Sequence, residues 1–277
     1  MEADIRNKEL LLKEFENYLT DQNRSKHTIR SYLYAVSQFF QRYSEITISN
    51  LQSYKLYLFE HYKPRTINLR INGMNRFLTY VGWTDGLVSL IKIQRPVYLE
   101  HVISEGDYEY LKIRLLADKK YFYYFLIRLM AATGARVSEV VQFTVADIQI
   151  GFKNIYSKGN KVHRIYIPRL LRKDMTKWLK ETKRLSGDIF ITSRGKRISD
   201  SGIRKQLKNM ALCYHLDERV MYPHSFRHRF AKNFVRYCDN ISLLSDLLGH
   251  GSLEATRIYL RRSSLEQKEI VNQVVDW

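Results

Sequence analysis

Pro223-His224-Ser225-Phe226-Arg227-His228 opens a helix. Proline is favoured at the first helical position, where its fixed φ is already helical and its missing N–H costs nothing. His224 and Arg227 then lie three residues apart and share one face. Taken alone, this is equally an ordinary basic helix. Its neighbours along the chain change the reading. Downstream, Leu247-Leu248-Gly249-His250 ends a second helix at Gly249, a residue suited to the C-terminal cap, and leaves His250 on a short turn. Tyr259 follows nine residues later, on the next helix. Upstream, Thr133-Gly134-Ala135-Arg136-Val137-Ser138-Glu139 closes the buried apolar run of Tyr121 to Ala132 at Gly134 and puts Arg136 at the start of another helix. Each residue has a plain structural alternative: an Arg136–Glu139 helix-end pair, a satisfied buried histidine at His250, one core tyrosine among 20 at Tyr259.

Composition narrows the chemistry. The 277 residues fit two domains of ordinary size. The apolar share of 45% is enough for real cores. No apolar run approaches the roughly 20 residues that span a bilayer. The charged, amphipathic stretch from Met1 to Lys13 is not a secretory signal. Cys213 and Cys238 form no metal-ligand spacing and no disulfide framework, so a reducing cytoplasm is the default. Net charge is +18, and the segment from Lys153 to Arg236 holds 22 Lys and Arg against 6 Asp and Glu, a local +16. So concentrated a basic surface attracts polyanions, nucleic acid above all.

Around this basic half the chain organises itself by hydrophobic period. The first 82 residues carry four amphipathic helical stripes, led by Leu11-Phe15-Leu19, Ile29-Val36-Phe39, Leu51-Tyr54-Leu58 and Ile67-Met74-Phe77. Ser25 caps the second, Pro64 opens the fourth and Gly82 closes it. Cations Arg24, Lys26, Arg65 and Arg70 cluster near helix starts. A linker over 92–102, with Pro96 and no helical period, leads to a helix capped by Ser104 with Asp107 in capping-box position. Short β-prone runs from Ile148 to Ile167, broken at Gly151 and Lys158-Gly159-Asn160, predict a small antiparallel sheet. A further short strand is expected near Asp188 to Ile191. The fold class is mainly α with a small antiparallel β-sheet (α+β): a helical domain over 1–91, the linker, and a second domain over 103–277 ending in a tail helix.

Metal chemistry finds no ligand pattern here, and Ser157-Lys158-Gly159-Asn160-Lys161 lacks the glycine spacing of a phosphate loop. No cofactor is called for. Chemistry must run on side chains. Phosphoryl transfer without a metal needs fixed cations against the developing charge, a base for the nucleophile and an acid for the leaving oxygen. The second domain offers candidates for all three.

In order and spacing, Thr133 to Glu139, the hairpin Ser157 to Lys161, Pro223 to His228, Leu247 to His250 and Tyr259 together resemble the tyrosine recombinase (phage integrase) family, in particular its compact Xer-type members. The resemblance covers nearly the whole chain. It implies a site-specific recombinase that cuts and rejoins duplex DNA through a 3′-phosphotyrosine, without metal or ATP. It implies Arg136 and Arg227 on the non-bridging oxygens, Tyr259 as nucleophile, Lys158 as acid with Lys161 the weaker alternative, His224 as base, His250 on the phosphate and Glu139 orienting neighbours. Arg24, Lys26, Arg65, Arg70, Lys161, Arg164 and Arg229 would contact DNA. Double-stranded core sites, a homotetramer on DNA from free monomers, a second non-identical recombinase as a conceivable partner, no membrane, and a cytoplasmic, nucleoid-associated location follow in the same way. Ala135, Arg229 and Arg261-Arg262 depart from the usual pattern without removing a catalytic group. Apolar Leu265, Ile270, Val271, Val274 and Val275 look like a tail that docks into a neighbouring protomer. Two rival classes remain at this point: a type IB topoisomerase, with the same chemistry and no strand exchange, and a DNA-binding regulator that has lost catalysis.

Overall fold

A computed structural model describes residues 8–93, 101–157, 161–238, 240–260, 271–272 and 274–275, the side chains of Ser157 and Lys161 excepted. The chain divides into two compact units, Met1–Arg95 and Pro96–Trp277. Residues 94–100, within the expected linker, lie outside the described set.

The first unit is built from α1 (Lys8–Asp21), α2 (Lys26–Phe40), α3 (Ile48–His61) and α4 (Pro64–Tyr80). Their limits follow local chemistry. The Ser25 hydroxyl accepts the Thr28 N–H at 3.1 Å, Thr47 does the same for Asn50 at 3.0 Å, and Pro64 stands at the start of α4. The apolar stripes meet in one core in which Phe15 and Phe40 both set their rings edge-on to Phe77, at centroid distances of 5.2 and 5.7 Å. Burying each such side chain stabilises the fold by roughly 1.5–3 kcal/mol. The buried amide of Gln38 is satisfied by Tyr54, which donates to it, and by Tyr62, which receives from it.

The second unit is arranged around α6 (Tyr121–Thr133), which is apolar on nearly every side and fully buried at Leu126, Ile127, Leu129 and Met130. Against it pack α5 (Glu105–Ala117), α9 (Arg169–Glu181) and α11 (Pro223–Tyr237). Ser104 caps α5: its hydroxyl accepts the Asp107 N–H at 3.0 Å and donates to the Asp107 carboxylate at 2.8 Å, so the reciprocal bond of the expected capping box runs through the hydroxyl and not the Ser104 backbone N–H. Between α6 and α9 run the short α7 (Val137–Val140) and α8 (Val145–Ile150), then an antiparallel pair, β1 (Phe152–Ser157) and β2 (Lys161–Tyr166). The strands begin later than the sequence suggested. Thr144 and Asp147 cap each other's backbone and extend α8 through Ile148 to Ile150, and Gly151 ends it at φ +91°.

Asp188 to Ile191 does not form the expected strand. Only isolated bridges join Thr144 to Asp188 and Ile191 to Arg197. Ile189 and Phe190 are buried as a strand's would be, but only scattered backbone bonds reach the neighbouring segments, Ile189 N–H to the Phe143 carbonyl at 3.0 Å and Ile198 N–H to the Phe190 carbonyl at 2.9 Å, while Arg184 donates to the Ile189 carbonyl at 2.6 Å and Arg197 forks onto the Asp188 carboxylate at 2.8 and 2.9 Å. The chain then continues through α10 (Asp200–Cys213), α11 and α12 (Ile241–Leu248). Tyr259 sits not on a regular helix but on a single 3₁₀ turn, Arg257–Leu260. Its ring joins Ala231, Leu244 and Leu248 in a small separate core.

Candidate active site

Two left-handed glycines frame the site. Gly134 closes α6 at φ +64° and Gly249 closes α12 at φ +60°. A side chain is excluded twice over at each, by conformation and by space. A Cβ on Gly134 would stand 2.5 Å from the Phe230 ring, and one on Gly249 would stand 2.8 Å from the His163 imidazole. The chain reversals turn three carbonyls inward, and arginines take them. Arg227 donates Nη1 to the Gly134 carbonyl at 2.7 Å and Nη2 to the Leu248 carbonyl at 2.6 Å. Arg136 donates Nη2 to the Gly249 carbonyl at 2.9 Å. The planar fork of arginine suits such paired acceptors as lysine does not.

Glu139 completes the frame. Its Oε1 accepts from Arg136 Nη1 at 2.8 Å and its Oε2 from the Arg136 backbone N–H at 2.7 Å. The helix-end pair and the anion-binding reading of Arg136 are therefore compatible: one edge of the guanidinium is held so that the group is fixed in place. Two guanidiniums face one carboxylate, which leaves a local excess of positive charge. Arg227 is only 3% exposed. Burial, and next the nearby charge of Arg136, pull its pKa to about 10, so it is still a cation at neutral pH. A buried cation with spare donors is a site for an anion.

The histidines around it are electrically quiet. Partial loss of water around the rings first, then nearby groups (Arg227 for His224 and His250, His224 and then Arg227 for His228), lowers the pKa of His224, and lowers those of His228 and His250 to about 4. All three are neutral at pH 7 and can hydrogen-bond without adding charge. His250 Nδ1 lies 2.7 Å from the hydroxyl of buried Thr256. His228 Nδ1 lies 2.9 Å from the Tyr259 hydroxyl. Tyr259 is 8% exposed, and burial raises its pKa against the opposing charge of Arg227. The phenol therefore rests protonated.

Residues 108–266 match the phage integrase family. The chain belongs to the phage integrase family. Its relatives in that family include tyrosine recombinase XerA of Pyrococcus furiosus, 28% identical over 95% of this chain and 93% of the relative. Tyrosine recombinase XerD of Vibrio cholerae is 25% identical over 90% of each chain. Among solved structures, the Tn1549 transposon integrase bound to transposon right-end DNA superposes with a TM-score of 0.74 at 14% identity, covering 95% of this chain and 99% of that one. At that identity the likeness is one of fold.

Within this integrase family member, Arg136, Glu139, Arg227, His250 and Tyr259 come together as their order in the sequence suggested. His224 shares the α11 face with His228, their rings 6.2 Å apart, but is exposed and makes no hydrogen bond among the described residues. Lys158 lies outside the described residues, and Lys161 is described only as the first residue of β2. Of the residues expected on DNA, Arg24, Lys26 and Arg65 are exposed. Arg70 lies over the Tyr34 ring at 4.0 Å, and Arg164 bonds Asn154 at 2.9 Å and covers Phe152. Arg229 grips both oxygens of Glu105 at 2.6 Å and lies over Tyr108 at 4.0 Å.

Two residues beside the site were not singled out in the sequence. His228 follows His224 by one helical turn, so the face shared by His224 and Arg227 already contained it. His163 was legible from strand alternation: Val162, Arg164 and Tyr166 face out, while His163, Ile165 and Ile167 face in. Its ring covers Gly249, and its buried Nε2 has no hydrogen-bond partner.

Proposed function

We propose that the chain is a site-specific DNA recombinase that exchanges strands through a 3′-phosphotyrosine at Tyr259. The observation that carries this reading is the guanidinium pair of Arg136 and Arg227, anchored by the carbonyls of two glycine turns, beside a buried, protonated tyrosine. A phosphodiester on that pair has its non-bridging oxygens matched by fixed donors, which favours the more highly charged transition state over the ground state. Tyr259 attacks phosphorus, and the 5′ oxygen departs with a proton from Lys158, with Lys161 the weaker candidate. His224 takes the phenolic proton as base, and His250 hydrogen-bonds the phosphate. Glu139 holds Arg136. The phosphotyrosine keeps the energy of the broken diester, so a second 5′-hydroxyl reverses the step without ATP. The enzyme acts where DNA lies, in the nucleoid of the cytoplasm.

Strand exchange cuts two duplexes twice each, so four protomers act together. The tail beyond Tyr259 is the natural coupling between them. Leu265 and Ile270 fall outside the described residues, while Val271, Val274 and Val275 are all exposed on one helical turn. That spacing makes an apolar face free to dock on a neighbour.

Tyr259→Phe tests the nucleophile. The variant should bind duplex DNA normally and form no covalent adduct on a denaturing gel. An adduct that persists moves the chemistry to another residue.

A further inference from the structure

His163 stands beside the guanidinium pair yet has no part in the scheme above. It pairs with Ile155 across the β1–β2 hairpin, and its ring lies against Gly249, where a Cβ would be 2.8 Å from both Cγ and Nδ1. The Gly249 carbonyl anchors Arg136, and His250 is the next residue. Glu139, Arg136 and Arg227 are the charges that act on the imidazole. We propose that His163 is a further phosphate-binding residue, whose Nδ1–H donates to the diester held by Arg136 and Arg227. The proposal rests on the recombinase reading of the site.

The ring nitrogens decide which edge can act. Neither has a hydrogen-bond partner among the described residues, and only Nε2 is shut off from solvent. Partial loss of water around the ring keeps its pKa below the usual 6.5, so the imidazole is neutral at pH 7. It then carries one proton. A proton on Nε2 would be a buried donor with no acceptor, an arrangement folded proteins rarely keep. The proton therefore sits on Nδ1, at the edge that solvent reaches and beside the Gly249–His250 turn. Glu139 does not draw it away, since Arg136 already donates to both of its oxygens.

Packing alone does not account for a histidine here. Phenylalanine would cover Gly249 as well, without a nitrogen sealed away from any partner. The donor acquires a use when an anion settles on the guanidinium pair. Phosphate oxygens have more lone pairs than two arginines occupy. A neutral N–H adds a bond to them without placing a third cation beside buried Arg227. Held by the strand on one side and the glycine turn on the other, it needs no reorganisation as charge grows on the non-bridging oxygens, so it favours the transition state.

The test uses the full chain and a duplex that the protein selects from a randomised pool, nicked so that cleavage releases a short fragment and traps the adduct. Adduct formation is followed in single turnover for the parent, His163→Phe and His163→Asn, with Tm measured beside it. Phenylalanine keeps a ring over Gly249 and removes the donor, so His163→Phe should hold its Tm and slow by about 10- to 100-fold, the worth of a hydrogen bond to a charged group. Asparagine places an amide N–H near the position of Nδ1, so His163→Asn should recover most of the rate. His163→Ala, read in the same way, replaces the phenylalanine variant if the larger ring lowers Tm. The duplex is then made with sulfur in place of one or the other non-bridging oxygen of the phosphate that the parent cleaves. Sulfur accepts hydrogen bonds poorly, so with one diastereomer, and not the other, the gap between parent and His163→Phe should narrow to about threefold or less. A ring that only props the turn would keep the same gap with both. That result, a phenylalanine variant as fast as the parent, or an asparagine variant as slow as phenylalanine overturns this proposal and leaves the recombinase reading standing. A parent that forms no adduct overturns both.

Discussion

In the first unit Arg24, Lys26 and Arg65 stand in solvent, whereas in the second Arg227 is buried and holds two carbonyls, with Arg136 on a third. The same charge serves different ends. An exposed cation attracts phosphate from a distance, costs little and is screened by salt. A buried one is expensive, and the glycine turns and Glu139 exist to offset that cost. In return its donors need no reorganisation when charge develops on phosphorus. Affinity should therefore depend on many replaceable residues, and chemistry on a few irreplaceable ones.

The largest effect expected from this contrast is at Arg227. Arg227→Lys keeps the charge but cannot span the Gly134 and Leu248 carbonyls together. Single-turnover cleavage should fall by about 10³-fold, while duplex affinity changes little. Thermal stability should fall too, because a buried carbonyl left unpaired costs roughly 1–3 kcal/mol. A lysine variant that cleaves within tenfold of the parent would mean that charge alone suffices, and the contrast between the units would lose its basis.

Next in size is a comparison of glycines. Gly249→Ala and Gly82→Ala both force a side chain into the left-handed region, at φ +60° and +78°. That costs roughly 1–2 kcal/mol in either unit. Gly82 has open space around its Cβ, whereas at Gly249 the His163 ring stands 2.8 Å away. Gly249→Ala should therefore lower Tm further than Gly82→Ala and slow cleavage as well. Equal Tm losses would show that His163 moves aside freely.

Acid should also separate the two regions. His228 and His250 have folded-state pKa values near 4 against an ordinary 6.5. Between those values the unfolded chain binds more protons than the folded one, so stability rises with pH across that window. The contribution is complete above about pH 6.5 and is lost as pH falls toward 4. His250→Gln should flatten the dependence of Tm on pH between 6.5 and 4. A slope untouched by His250→Gln would place the acid lability in other groups.

These sites differ in how far the sequence disclosed them. Ser25, Pro64 and Ser104 were readable because a cap acts within three residues of itself. Gly134 and Gly249 were readable as helix ends, but that they turn carbonyls onto each other's arginines required the tertiary fold. The same limit explains Asp188 to Ile191: apolar residues flanked by turn formers look like a strand, and nothing local reveals that only isolated bridges will tie it to Thr144 and Arg197. The bond from Tyr259 to His228 links positions 31 residues apart. Half of it was visible, since His228 shares a helical face with His224. The other half depended on a 3₁₀ turn whose orientation no periodicity encodes. Arg229 shows the reverse case, a cation expected on DNA by its neighbours in sequence and bound to Glu105 in space.

The smallest effects belong to the exposed cations, and they test the other side of the contrast. Each phosphate neutralised by a cation releases counterions and adds roughly 0.9 to the slope of log K against log salt. If Arg24, Lys26 and Arg65 each meet one phosphate, then Arg24→Gln, Lys26→Gln and Arg65→Gln should each lower that slope by about 0.9. They should weaken binding by similar factors on any duplex sequence and leave the single-turnover rate at saturating protein unchanged. Arg229→Gln is the control from the second unit. Its guanidinium already belongs to Glu105 and Tyr108, so the slope should hold while Tm drops. Gel-shift titrations at several salt concentrations decide the matter. A slope that falls for Arg229→Gln would mean that DNA pulls this arginine away from Glu105, and the line between exposed attraction and buried chemistry would then run through α11 itself. A slope unmoved by the three substitutions together would place the phosphate contacts of the first unit on other residues.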